Sequence, residues 1–199
     1  MNNNESIEQL KVLGWIVLTF LSFFFTAHTY GYRLNTSQSY PPGLYVISDV
    51  KVKCHLNDLI LFCPPDNHAI HIALERGYVY KGGCIGGSAP MIKRIAATQG
   101  DDVALNGVIS INGLSLLDTI ILDQDLRQRP LTAFTLNEHI EFMVPFDNVF
   151  VYSEYAPKYS YDSRYFGPVP VSNIKGIATP VLLWSDIITL WEVTRLSLG

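Results

Sequence analysis

Ser39 and Lys93 are the residues on which a reaction can be built. Lys93 stands in Pro90-Met91-Ile92-Lys93-Arg94-Ile95, among apolar neighbours where a strand would bury it. An ammonium taken out of water is costly, so its pKa falls and the amine can be neutral near pH 7. A neutral amine can take the proton of a serine hydroxyl. Ser39 opens the box Ser39-Tyr40-Pro41-Pro42-Gly43-Leu44-Tyr45, and the two segments together read as a Ser–Lys hydrolytic dyad. The competing reading of Lys93 alone is a strand-edge lysine that snorkels its head to water. His68 and His71 share an i, i+3 spacing that places both imidazoles on one helix face. They have no HExxH pattern and no third ligand nearby, so neither a metal nor a cofactor is expected.

The elements that must position this pair are mostly strands. Residues 44–50 and 59–62 are short β-branched or aromatic runs separated by the turn Asn57-Asp58. Residues 91–96 form another strand, ending toward a turn at Gly100-Asp101. Residues 103–105 and 108–111 flank Asn106-Gly107, the strongest hairpin signal in the chain, and Asn112-Gly113 repeats that turn chemistry. Residues 114–148 read as an excursion from the sheet, and 149–152 and 176–184 as further strands. A mainly β fold, a sheet or barrel, follows.

The 199 residues hold one domain of catalytic size plus a short appendage. Net charge is −4 and no basic stripe occurs, which argues against a nucleic-acid partner. Only 16% of residues are charged, and residues 12–27 are apolar except for Thr19, Ser22 and Thr26. With His28-Thr29-Tyr30 the segment reaches the minimum length of a spanning helix. A cleaved signal peptide competes, but Phe25 occupies the −3 position of the one tempting cleavage point, after Ala27, where a small residue is needed. The expectation is an N-terminal tail over 1–11, one transmembrane anchor over 12–32 and a catalytic domain over 33–199. Trp15 and Tyr30 are placed for the two interfaces. Charge does not set the orientation: Lys11 precedes the segment, while Arg33, Lys51 and Lys53 follow it.

Of Cys54, Cys63 and Cys84, the last two flank one connection: Cys63 precedes Pro64-Pro65 and Cys84 lies within Gly82-Gly83-Cys84-Ile85-Gly86-Gly87. In a domain outside the cytoplasm they would form a Cys63–Cys84 disulfide and leave Cys54 free; otherwise both are buried thiols.

Three ordered boxes resemble the signal peptidase I clan. Ser39-x-Pro41-x-Gly43-Leu44-Tyr45 is similar to its nucleophile box, in the variant of the TraF-type proteases of conjugative transfer. Pro90 to Ile95 with Gly100-Asp101 is similar to its lysine box. Ser160-Tyr161-Asp162-Ser163-Arg164-Tyr165-Phe166-Gly167-Pro168-Val169 is similar to its C-terminal box. Phe62-Cys63-Pro64-Pro65, Arg76-Gly77-Tyr78 and Gly83-Cys84-Ile85-Gly86-Gly87 resemble the TraF-type branch. The resemblance implies Ser39 as nucleophile and Lys93 as general base, held by Ser160. It also implies that Ser37 donates to the oxyanion hole, and that Asp162 and Arg164, on one side of an extended segment, brace the loop. Three departures stand out: Asn57-Asp58 replaces a Gly-Asp, Thr98-Gln99-Gly100-Asp101 replaces Leu-Pro-Gly-Asp, and the segment around Ser153-Glu154-Tyr155 replaces Gly-Asp-Asn. The last loss points away from a housekeeping enzyme.

The implied activity is a serine endopeptidase of the bacterial inner membrane, its catalytic domain on the periplasmic side. The implied partner is a pilin precursor, or another exported membrane-associated protein, cut or cyclised for a conjugative type IV secretion system. A general type I signal peptidase and a non-catalytic pilus assembly factor are the rival readings. A LexA-like self-cleaving repressor shares the dyad but would lack the anchor and carry a DNA-binding domain.

Overall fold

The computed structural model describes residues 3–37, 39–48, 54–116 and 118–187. It begins with α1 (Asn3–Thr29), a helix in which residues 8–29 are long and apolar enough to cross a membrane. Those 22 residues rise about 33 Å at 1.5 Å each, close to the ~30 Å hydrocarbon core of a bilayer. The rest of the described protein buries none of this apolar stretch. The helix starts at Asn3, so the polar residues before Val12 continue it.

From there the chain builds strands. β1 (Tyr32–Asn35), β2 (Gly43–Ser48), β3 (Leu59–Phe62) and β4 (Met91–Thr98) are followed by β5 (Asp102–Asn106), β6 (Val108–Ile111), β7 (Leu114–Ser115) and β8 (Glu141–Met143). β9 (Asn148–Tyr152), β10 (Val169–Pro170) and β11 (Ile174–Leu183) complete the set, with α2 (His68–Arg76) and α3 (Ser163–Phe166) packed between them. A seven-stranded antiparallel sheet runs β1-β2-β11-β3-β4-β9-β10, and a four-stranded sheet runs β7-β6-β5-β8. The fold is mainly β, a curled half-barrel preceded by one apolar helix.

The expected strands at 59–62, 91–96 and 149–152 are β3, β4 and β9. The run 44–50 is β2 through Ser48; Asp49 and Val50 lie outside the described residues, as do Lys51 and Lys53. The first hairpin turns at Gly107 and the second at Asn112-Gly113, both residues of which take positive φ, the conformation a two-residue turn demands. Asn57 likewise adopts φ 71°, so it fills a left-handed position in place of a glycine. The stretch 114–148 does not leave the sheets throughout. β7 and β8 pair with β6 and β5, and only the segment between them runs free of strands.

The main core is shared by Ile60 and Phe62 of β3, Ile95 of β4, Val149 and Val151 of β9, Ile70 of α2 and Phe166 of α3. A second cluster, with Val103, Ile109, Phe142 and Phe150, seals the smaller sheet onto the larger one. A third, with Tyr40, Tyr45, Leu59 and Ile92, lies on the opposite face. Each such fully buried aliphatic or aromatic side chain contributes about 1.5–3 kcal/mol, so the central strands are the most firmly held. Gly43 shows why the nucleophile box needs a glycine there: a Cβ would come within 2.3 Å of the Leu182 carbonyl oxygen where β2 meets β11.

Cys63 and Cys84 form a disulfide with Cα atoms 5.6 Å apart, and Cys54 is a free thiol packed against the main core. The bridge ties the end of β3 to the loop that leads into β4. Thiol titration of denatured, unreduced protein should therefore find one reactive cysteine per chain. Replacing both bridged residues by serine should cost about 3 kcal/mol of stability in chemical denaturation. Three titratable thiols in protein taken from the oxidising side of the membrane would contradict this.

Candidate active site

The loop between β1 and β2 carries Ser39, and its shape is written largely by Asn35. The Asn35 carboxamide is buried at the end of β1, donates to the Tyr40 and Pro41 carbonyls at 3.1 Å each, and accepts from Ser37 N at 3.1 Å and Ser37 Oγ at 2.7 Å. Tyr45 also donates to Pro41 O, at 2.7 Å. From the far side, Ser153 Oγ donates to the Ser39 carbonyl. The loop is held on both sides of Ser39, and Ser37 Oγ lies 3.3 Å from Ser39 Oγ.

Lys93 is placed by a central strand. It pairs with Ile60 of β3 while its neighbour Arg94 pairs with Tyr152 of β9, so neither edge of β4 is open at this point. Its side chain is 2% exposed. Burial lowers its pKa from 10.5 to about 8; Asp162 pulls it back up and Arg164 pushes it down again. Ser37, Ser39 and Lys93 all line one cleft of about 470 Å³, whose other wall holds Tyr78, Tyr80, Tyr159 and Tyr161.

Beneath the lysine lies a fully buried ion pair. Arg164 Nε and Nη2 donate to the two Asp162 carboxylate oxygens at 2.8 and 2.9 Å. The same guanidinium donates to the carbonyls of Ile120 (2.8 Å), Pro157 (2.7 Å) and Ser160 (3.1 Å). Asp162 and Arg164 pair as expected, but Arg164 sits in α3 and not on an extended segment. Asp162 caps that helix, accepting from Arg164 N at 3.3 Å, which bends the chain and brings the guanidinium back onto the carboxylate. Ser160 is buried, and its Oγ has no hydrogen-bond partner among the described residues. The hydrogen bond expected between Ser160 and Lys93 is not made in this structure.

The second residue of each key pair does a different job. Tyr40 follows Ser39 and Arg94 follows Lys93, and the two meet on the opposite face of the sheet. Arg94 Nη2 donates to the Tyr40 hydroxyl at 2.7 Å, and Tyr40 donates to Glu154 Oε1 at 3.0 Å. Arg94 Nε donates to the same oxygen at 2.6 Å, and Nη1 to the Asn57 carbonyl at 2.6 Å. Burial and the Glu154 carboxylate raise the Tyr40 pKa to about 12, so it remains a donor. In the sequence the segment Ser153-Glu154-Tyr155 reads only as a departure from a motif. In the fold it locks the Ser39 loop to the lysine strand. Asn35 carried no sequence signal beyond a turn preference.

His68 and His71 stand on α2, away from this cleft; His71 Nε2 lies 2.7 Å from Asp66 Oδ1, and both are exposed.

One apolar helix leads into a curled antiparallel sheet, and Ser39 and the buried Lys93 line one cleft of it. The family model for signal peptidase, peptidase S26, matches residues 6–184, and the chain belongs to that family. Within it the relatives are of the TraF type. The chain is 36% identical over 155 residues to the probable conjugal transfer protein TraF of Sinorhizobium fredii, covering 78% of this chain and 79% of that one. It is 37% identical to the conjugal transfer protein TraF of Agrobacterium tumefaciens (78% and 84% covered) and 36% identical to a plasmid transfer protein TraF of Escherichia coli (77% and 84%). A crystal structure of signal peptidase I from Enterococcus faecalis aligns over 64% of this chain and 98% of that chain, with 24% identity and a TM-score of 0.38. The apolar helix, the disulfide and the family together describe an inner-membrane protein with its β-domain on the periplasmic side.

The buried lysine has a thermodynamic signature. Its folded pKa of about 8 lies below the ordinary 10.5. The native state therefore releases the proton first, and this residue's contribution to stability rises as pH climbs from about 8 toward 10.5. At pH 7 the buried ammonium is a net cost. Lys93→Met should raise the melting temperature at pH 7 by a few degrees, about 2–4 °C per kcal/mol in a chain this size, with the gain shrinking by pH 10. A lower melting temperature for the variant at pH 7 would sink this account.

Proposed function

We propose that this chain is a membrane-anchored serine endopeptidase of a conjugative transfer system and that it processes a pilin precursor through a Ser39–Lys93 dyad. The observation that carries the reading is the burial of Lys93 on the cleft that Ser39 lines, with an ammonium pKa brought down to about 8. The TraF relatives, named for conjugal and plasmid transfer, support the biological setting.

In this mechanism neutral Lys93 Nζ accepts the Ser39 hydroxyl proton as Oγ attacks the scissile carbonyl. The oxyanion accepts a hydrogen bond from Ser39 N–H, and a second from Ser37 Oγ once that hydroxyl turns away from Asn35 Oδ1, to which it donates in the resting site. Collapse of the tetrahedral intermediate expels the amine, which takes the proton from Lys93 and leaves an ester on Ser39. Water attacking that ester gives a linear product; the substrate's own N-terminal amine gives a cyclic one. Ser160, with its unpaired hydroxyl in the same region, is the residue that would orient Lys93 once substrate orders the site. Asp162 and Arg164 hold the segment that presents it.

Mass spectrometry of the pilin precursor, expressed with and without this chain, tests the reading directly. A leader lost only in its presence supports peptidase action, and a product lighter than the linear form by one water shows cyclisation. An unchanged precursor, together with processing of many unrelated exported proteins, would instead indicate a general signal peptidase. Ser39→Ala and Lys93→Ala should each abolish processing, a loss of at least about 10³-fold, with circular dichroism unchanged. Lys93→Arg should be equally inactive, because a guanidinium stays protonated at any working pH.

Processing should also depend on pH in one direction. Only the amine form of Lys93 accepts a proton, so the rate should rise through about pH 8 and level off above it. A profile flat from pH 6 to 10 would remove Lys93 as the base.

A further inference from the structure

The segment between β7 and β8 makes its firmest contacts on the wall of the cleft. Residues 123–131 fold into a tight loop closed by Asp125. Its Oδ1 accepts from Arg127 N at 2.8 Å and Arg129 N at 2.9 Å, Leu131 N donates to Asp123 O at 2.7 Å, and Gln128 takes φ 60°. The other Asp125 oxygen, Oδ2, accepts from Arg129 Nε at 2.6 Å and from the Tyr78 hydroxyl. The Arg129 guanidinium lies 5.3 Å over the Tyr78 ring, and Arg76 Nη1 donates to the Pro130 carbonyl at 2.6 Å.

Tyr78 thus has its hydroxyl and its outer face held by this loop, while the ring itself lines the cleft. Its centroid is 5.5 Å from that of Tyr161, which also lines the cleft, donates to Ala69 O at 3.0 Å and stacks on Tyr165 at 5.1 Å. Tyr165 in turn accepts from Leu122 N, one residue before the loop, at 3.1 Å. Of the four tyrosines that line the cleft, Tyr78 is held directly by the loop and Tyr161 packs against Tyr78, and no loop residue is among those lining the cleft.

We propose that the Asp125 loop belongs to the substrate-recognition apparatus: Asp125 and Arg129 are positioning residues that fix the Tyr78–Tyr161 wall against which an extended segment of the precursor lies. The proposal rests on the cleft being the substrate site, as in the function proposed above, and adds what decides which segment fits. An aromatic wall gives a broad, stiff surface with little side-chain entropy to lose, suited to an extended chain with apolar or aromatic side chains. Because Asp125 and Arg129 act from behind that wall, they bear on binding and not on the proton transfer between Ser39 and Lys93.

The test uses the full chain in detergent micelles, with a fluorescently labelled pilin precursor as the binding probe. In the Ser39→Ala background, which binds without turning over, Asp125→Asn and Arg129→Ala should each raise the precursor's Kd about fivefold to tenfold, as expected for a wall that has lost one or two charge-assisted contacts. With Ser39 intact, the same changes should leave the acylation rate by a small β-lactam-type reagent within about twofold, since that reagent reaches the serine without spanning the wall. A Kd within twofold of the parent would overturn the proposal. So would an acylation rate that falls in step with binding, because the loop would then be holding the whole fold. If the unmodified chain is not acylated at Ser39 at all, the dyad reading fails, while the Kd comparison still decides the role of the loop.

Discussion

The Asp162–Arg164 pair is the constraint on which the site depends. Both residues are fully buried, and an arginine stripped of water is tolerable only if its donors are met. Arg164 meets them with one carboxylate and three carbonyls, from Ile120, Pro157 and Ser160, so a single side chain gathers two distant stretches of loop into one place. The pair also matters through its charge. An unpaired Asp162 would stabilise the Lys93 ammonium and raise its pKa; the guanidinium opposes that pull, and desolvation prevails. Order is thus supplied beneath the lysine without a net counter-charge that would keep it protonated.

Around that centre the chain uses consecutive residues for opposite tasks. Strand alternation sends Lys93 to the cleft and Arg94 to the other face. There Arg94 meets Tyr40, the neighbour of Ser39, and both reach Glu154. The serine loop and the lysine strand come from distant parts of the sequence. Their relative placement is fixed by hydrogen bonds one residue away from Ser39 and from Lys93, and by Ser153 on the Ser39 carbonyl. Such an arrangement holds both backbones while leaving the two side chains unclamped, as the proposed proton transfer requires.

Much of this was legible in the sequence where a residue type has one dominant reason to be present. Alternating apolar runs gave β3, β4 and β9, Asn112-Gly113 gave its turn, and the apolar run after Val12 gave the helix. Pro64-Pro65 and the glycines around Cys84 marked a connection able to close a disulfide. Polar clamps were less visible. Asn35 reads locally as a turn residue because its four hydrogen bonds depend on where Ser37, Tyr40 and Pro41 return in space. Asp125 and Arg129 read as part of an excursion, because their contact with Tyr78 spans 47 residues of chain. The helical turn at α3 is hidden for the same reason: four residues leave no periodicity to read, and Asp162 is both its cap and the partner of the buried guanidinium.

The short path from membrane to nucleophile has a geometric consequence. The anchor helix ends at Thr29, β1 begins at Tyr32, and Ser39 follows the end of that strand by four residues. Ten residues of fully extended chain span at most about 33–36 Å, and a loop that doubles back spans less. Ser39 therefore cannot stand far above the bilayer surface, whatever the rest of the domain does. If a scissile bond is met at Ser39, as proposed, the helix and β1 act as a ruler that sets a ceiling on its height above the membrane.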